Sequence, residues 1–173
     1  LYYNSVGNNS CLMLGLSPNK RGEIDDTDTQ ILTALGCDLK LYFGYNLLKN
    51  EHFDDSSSCY SDEYAPENVL TEKMEECWRP SDNDKKPEIV FNIPENEYFD
   101  KITIGENIIN GQHIEEFNIY CFDADKKKWK KVYEGETIGY KRIVSIKPGN
   151  YSKIKFVFKA YRSFFEISSI SIN

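Results

Sequence analysis

The sequence predicts a mainly β protein, an antiparallel β-sandwich or jelly roll, preceded by a short strand and a helix of different character. Three observations carry this reading. From about residue 87 apolar side chains alternate with a period of two in short segments. Turn-forming stretches such as "PENEYFD", "DADKKK" and "KPGN" separate those segments. Before residue 50 the pattern is instead one continuous apolar run followed by a stripe of helical period.

Taken in chain order, "CLMLGL" at 11–16 is a short apolar run bounded by polar residues, the pattern of a strand buried on both faces in a parallel sheet. "SPNKRGEIDDTDTQ" follows as a loop, with Pro18 and Gly22 as breakers and Asp25, Asp26 or Thr27 as N-cap of a helix starting near residue 26. Ile31, Leu32, Leu35, Leu39 and Phe43 give that helix one apolar stripe, which requires a partner surface. The carboxylates Glu23, Asp25, Asp26 and Asp28 suit the positive end of the helix dipole, and this role is preferred to an acid–base one.

"NEHFDDSSSCYSDEYAP" is polar, serine-rich and without period, so residues 51–64 read as a linker between a unit at 1–50 and a sandwich at 65–173. Within the sandwich the expected strands carry Ile89, Phe91 and Ile93, then Ile102 and Ile104, then Phe117, Ile119 and Cys121. Val144 and Ile146, then Ile154, Phe156 and Phe158, and finally Ile170 and Ile172 complete the set. Arg142 shares a face with Val144 and Ile146, so an inward-leaning guanidinium needs an acceptor, for which Glu106 is the expected ion-pair partner.

A net charge of −7 in 173 residues disfavours nucleic acid and anionic membranes, which reward a basic face. No run of about 18 apolar residues appears, and the start "LYYNSVGNNS" lacks the regions of a signal peptide, so no membrane insertion is expected. The five cysteines, at 11, 37, 59, 77 and 121, show no CxxC and no paired histidine spacing, which argues against zinc. Cys11 and Cys121 read as buried thiols, and one bridge, for example Cys59 with Cys77, stays open.

Two stretches then carry a family resemblance. "LYYNSVGNNSCLMLGLSPNKRGEIDDTDTQILTALG" resembles the end of the catalytic barrel in α-L-fucosidases of glycoside hydrolase family 29, through Val6-Gly7, Leu12-Met13-Leu14, Pro18, Gly22 and Ile24. "GENIINGQHIEEFNIYCFDADKKKWKKVYEGETIGYKRIVSI" resembles the factor V/VIII type C, or discoidin-like, domain that follows such barrels. Glu106, Ile108, Gly111, Gln112, Phe117, Trp129 and Thr137 to Ile143 carry that match, with His113 where the pattern usually has Arg.

The resemblance implies the C-terminal portion of a longer retaining fucosidase, whose nucleophile and acid/base lie in the barrel. No catalytic role is transferred to this chain, because none of its residues matches the nucleophile motif. The remaining expectation is an accessory domain that supports the upstream barrel and binds fucosylated or galactose-containing glycans; the alternative is a discoidin-type adhesion module for protein or lipid.

Sugar recognition by such sandwiches uses loops at one end, with an aromatic platform and polar donors. The candidates here are Arg79, Gln112, His113, Tyr140, Lys141, Phe164 and Phe165, while Trp78 reads as core. Of the adjacent Phe164 and Phe165, strand geometry turns one outward. Relatives often hold a structural calcium; here Thr71 and Ser169 stand at the positions of its usual acidic ligands, so calcium is disfavoured, with Glu72 as a weak substitute ligand. No other cofactor is expected. By resemblance the parent is extracellular, periplasmic or lysosomal.

Overall fold

The computed structural model describes every residue except Glu72 and Met74, and leaves the side chain of Asn50 undescribed. The calcium candidate Glu72 therefore lies outside the described residues. Among the described residues helix α1 spans Asp26–Phe43 and is followed by eight strands: β1 Phe53–Ser56, β2 Glu88–Asn92, β3 Lys101–Glu106, β4 Ile114–Asp123, β5 Lys128–Gly135, β6 Arg142–Ser145, β7 Tyr151–Tyr161 and β8 Ile167–Ile172.

The strands form two antiparallel sheets, β1-β2-β7-β4-β5 and β6-β3-β8. Register follows the alternating pattern. In the larger sheet Phe156 lies between Ile89 and Ile119, and Ile154 between Phe91 and Cys121. Ile102 in the smaller sheet lies between Val144 and Ile172. All of these side chains are buried in one core. Each fully buried Ile or Phe stabilises the fold by roughly 1.5–3 kcal/mol relative to exposure, which makes a one-residue slip prohibitive.

Trp78 closes one end of the core. It is fully buried, exchanges backbone hydrogen bonds with Ile167 at 2.9 and 2.8 Å, and packs edge-on to Phe165 with ring centroids 6.1 Å apart. Its indole Nε1 donates to the Ser58 carbonyl at 2.9 Å, so the polar tip of the ring is satisfied.

Two strands escape the alternation. The stretch read as linker at 51–64 contains β1, an edge strand whose Phe53 pairs with Phe91 and packs against the core. On the opposite edge β5 is mostly exposed, with only its Val132 and Tyr133 reaching the core. Edge strands face water on most sides, so their sequences carry charge instead of an apolar rhythm.

The N-terminal unit departs further. Helix α1 starts where expected, with Asp25 Oδ1 accepting from Thr27 N at 3.0 Å and Asp26 and Asp28 in the first turn. No residue of the helix is buried, and Ile31 is 61% and Leu41 78% exposed. Residues 11–16 form no strand, and Met13 is 89% exposed. A doubly covered strand needs neighbours on both edges and both faces, and the sandwich offers none there. Cys11 accordingly is exposed, not buried.

Residues before this stretch do dock. Ile143 N donates to Gly7 O at 2.8 Å and Asn9 N to Lys141 O at 2.9 Å, so the segment lies along β6. A Cβ at Gly7 would fall 2.6 Å from Tyr3 O and 3.1 Å from Ile143 Cβ, so only glycine permits the approach.

Candidate functional site

The loops at one end of the sandwich converge on Glu106, at the end of β3. A bulge between Gly105 and Glu106 turns its side chain inward, leaving the residue 1% exposed. Its Oε1 accepts from His113 N at 2.6 Å and Ile114 N at 3.1 Å, while Oε2 accepts from Gly139 N at 3.3 Å. One carboxylate thus ties the 111–114 turn to the 137–140 turn. Burial raises its pKa above the ordinary glutamate value, and the three amides pull the other way by holding the charged form.

The expected Glu106–Arg142 ion pair does not form. Arg142 Nε and Nη2 donate to Thr137 O at 3.1 and 2.8 Å, and Nη1 donates to Asn8 Oδ1 at 2.6 Å. The reading that this Arg needs an acceptor holds, but a backbone carbonyl and the N-terminal segment supply it. Glu106 is instead engaged by amides, which desolvate a carboxylate at lower cost than a second buried charge would.

Beyond Glu106 the candidates separate into two groups. In the first, the Arg79 guanidinium is stacked between the rings of Tyr60, at 3.9 Å to the centroid, and Phe164, at 4.2 Å. Its Nη2 meets Asp82 Oδ1 at 2.9 Å, and its buried Nε has no hydrogen-bond partner among the described residues. His113 lies behind Phe164, with ring centroids 5.4 Å apart.

The His113 ring links two loops. Nδ1 lies 2.5 Å from Phe164 O and 2.6 Å from Ser163 Oγ, and Nε2 lies 3.0 Å from Asn110 O. Arg162 N closes the loop on His113 O at 3.0 Å. A cleft beside this cluster is bounded by Arg79, Asp82, Lys85, Arg162 and Phe164.

The second group surrounds Asn9. Its Nδ2 donates to Gln112 Oε1 at 3.3 Å, and its Oδ1 accepts from Tyr140 N at 2.7 Å. Gly139 adopts φ +65°, and a Cβ there would meet the Asn9 amide at 2.1 Å. Tyr140 stays 49% exposed beside Lys141. Gln112, Tyr140 and Lys141 therefore share a neighbourhood distinct from that of Arg79, His113 and Phe164.

Phe165 belongs to neither group. It is 2% exposed, with its ring 4.8 Å from Phe158 and 5.0 Å from Tyr161. Of the adjacent phenylalanines Phe164 faces the loops and Phe165 the core, so the Phe165 ring is spent on packing. Sequence reasoning missed Tyr60 and Asn9. Tyr60 sits in the serine-rich stretch, where no period marks it, and Asn9 acts on residues more than a hundred positions away.

Cys59 is an exposed thiol that donates to Ser61 O at 3.4 Å, so the bridge to Cys77 left open by the sequence is not made. Cys77 and Cys121 are buried. Burial, with Glu166 nearby, pushes the Cys77 thiol up to about 11, and burial pushes Cys121 up to about 12. Chemically, the first group offers aromatic faces and fixed N–H donors, while the Glu106 carboxylate is inaccessible to solvent.

No family model matches the chain. Among curated proteins it is 31% identical over 147 residues to α-L-fucosidase 1 of Arabidopsis thaliana, a match covering 83% of this chain and 29% of the relative. Among solved structures, a family 29 glycoside hydrolase fucosidase of Ruminococcus gnavus, determined in complex with fucose, aligns with a TM-score of 0.88 and 32% identity. That alignment covers 99% of this chain and 35% of the fucosidase.

A chitosan-binding module from a Paenibacillus chitosanase/glucanase shares the fold, with a TM-score of 0.65 at 10% identity over 75% of this chain and 98% of the module. The chain thus spans about a third of the length of the fucosidases it matches, and it matches their C-terminal part. Over that third, this protein is a homologue of the α-L-fucosidases of glycoside hydrolase family 29.

Proposed function

We propose that the chain is the non-catalytic C-terminal accessory part of a retaining α-L-fucosidase, in which residues 1–50 complete the catalytic barrel and residues 65–173 form a discoidin-like sandwich that supports it. The observation that carries this is helix α1 together with the run at 11–16, the part of the N-terminal unit that the sandwich leaves uncovered. An amphipathic helix with no buried residue, next to the exposed run at 11–16, is an apolar surface awaiting a cover. Alignment of 99% of the chain with a fucosidase nearly three times as long supports the catalytic portion as that cover. The parent enzyme would act outside the cytoplasm.

The cluster of Arg79, Tyr60, Phe164 and His113 supports a second role, weak binding of fucosylated or galactose-containing glycans. A stacked guanidinium fixes donors in a plane, and the ring faces accept the C–H patches of a sugar. The overall acidity disfavours the alternative of a lipid-adhesive discoidin module, since membrane binding wants a basic rim.

Both roles are open to direct test. The chain alone should not hydrolyse a chromogenic α-L-fucoside, and turnover by it would overturn the non-catalytic reading. Titration with fucose, galactose and a fucosylated oligosaccharide should shift the NMR signals of Arg79, His113 and Phe164. The absence of shifts at millimolar sugar would leave only the supporting role.

A further inference from the structure

A second concavity lies on the outer face of the three-stranded sheet, beside the end of α1. In register, Thr103 on β3 stands between Ile143 on β6 and Ser171 on β8, all three facing outward. The bulge at Gly105 gathers two more hydroxyls: a Cβ on this glycine would lie 2.6 Å from Ser169 Oγ and 3.2 Å from Ser168 Oγ. Phe43 and Ile143 supply apolar walls, and Lys141 lines the pocket as its one charged residue.

Two features make this more than a polar sheet face. Thr103 is 7% exposed, yet its Oγ1 is fully buried without a hydrogen-bond partner among the described residues. A buried hydroxyl without a partner is unusual, and Thr103 is among the residues that line the pocket. Lys141 is half-buried, and no carboxylate is among the residues lining the pocket. Hydroxyl-bearing residues and one lysine line a space that holds no anionic acceptor of its own.

The complement is an acceptor group with a single negative charge. A dianionic phosphate would call for more than one cation, particularly on a chain of net charge −7. A carboxylate needs one cation and a few donors, and the walls accommodate the apolar carbon behind it. We propose that this pocket is a carboxylate receptor, in which Thr103 and the β8 serines donate to the oxygens and Lys141 neutralises them. The carboxylate comes either from a free sugar acid or from an acidic side chain of polypeptide laid over this face.

The test is an NMR titration of the whole chain with sodium acetate, with sodium chloride at equal ionic strength as control. Acetate should shift the Thr103, Lys141 and Ser169 amides saturably. Lys141→Gln should weaken binding about fivefold, as expected for a half-exposed ion pair. Thr103→Val, which keeps the shape and removes the hydroxyl, should weaken it without unfolding the sheet.

Glucuronate binding about tenfold or more tightly than acetate assigns the pocket to a sugar acid, and equal binding assigns it to a side-chain carboxylate. Either result supports the receptor. Chloride shifts matching those of acetate, the absence of saturable shifts, or full binding by both variants would each overturn it.

Discussion

Glu106 is the residue on which two loops depend, and its removal has a calculable effect. Glu106→Ala strands the amides of His113, Ile114 and Gly139, now bonded at 2.6, 3.1 and 3.3 Å. Each buried amide left unsatisfied costs about 1–3 kcal/mol, the long Gly139 bond least. The substitution also relieves the desolvation of the carboxylate, which offsets part of the loss. The net destabilisation is about 2–4 kcal/mol. At about 2–4 °C per kcal/mol for a chain of this size, Tm falls by about 5–15 °C.

The pH dependence gives an independent check. Because burial raises the folded pKa of Glu106 above its unfolded value, its contribution to stability is full below the ordinary glutamate range. That contribution is lost as pH rises through the folded value. Glu106→Gln abolishes this component and turns its NH2 group toward a donor, with a cost of about 1–2 kcal/mol. Urea unfolding followed by the fluorescence of the two tryptophans, Trp78 and Trp129, at several pH values from mildly acidic to neutral, measures both effects. A loss below about 0.5 kcal/mol for Glu106→Ala would refute the assignment of Glu106 as the tie between the loops.

Three further outcomes are expected. A thiol reagent near pH 8 should label Cys11, Cys37 and Cys59 quickly and Cys77 and Cys121 only on unfolding, since the latter two are buried with thiols pushed up to about 11 and about 12; fast labelling of all five would contradict the packing. Phe165→Ala should cost about 3–5 kcal/mol by opening the core beside Trp78, and Phe164→Ala about 1 kcal/mol through its stack on Arg79; equal costs in chemical denaturation would reverse their assigned sides. In hydrogen exchange, amides of α1 should open well before those of β4 and β7, because the helix has no buried residue; comparable protection would mean that the helix is already covered.

The core strands were legible because their period is two and their inward residues are large. Phe117, Ile119 and Cys121 face Phe158, Phe156 and Ile154, and a one-residue slip would turn one set of three outward. Strands β1 and β5 were not legible, since the solvated outer edges of a sheet impose no apolar alternation. The helix at 26–43 was readable from its cap and stripe, both local features. The run at 11–16 looked like a buried strand, and its composition does call for burial; the sandwich offers it no strand to pair with.

At the loop end, the sequence showed that Arg142 and Glu106 each need a partner and paired them with each other. Arg142 and Glu106 both required partners, a demand that follows from charge and position along a strand. Which partners they found depended on a bulge at Gly105, on a left-handed Gly139 and on an N-terminal segment folded back along β6. Those features bring together residues as distant as Asn8 and Arg142, or Tyr60 and Phe164, by geometry that no local pattern encodes. The sequence by itself determined the class and the core and pointed to the homology with fucosidases, since periodicity and motif are properties of neighbours along the chain. The tertiary structure decided which side chains share a loop end, which phenylalanine turns inward and which hydroxyl is left without a partner, because these depend on distances across the sheets.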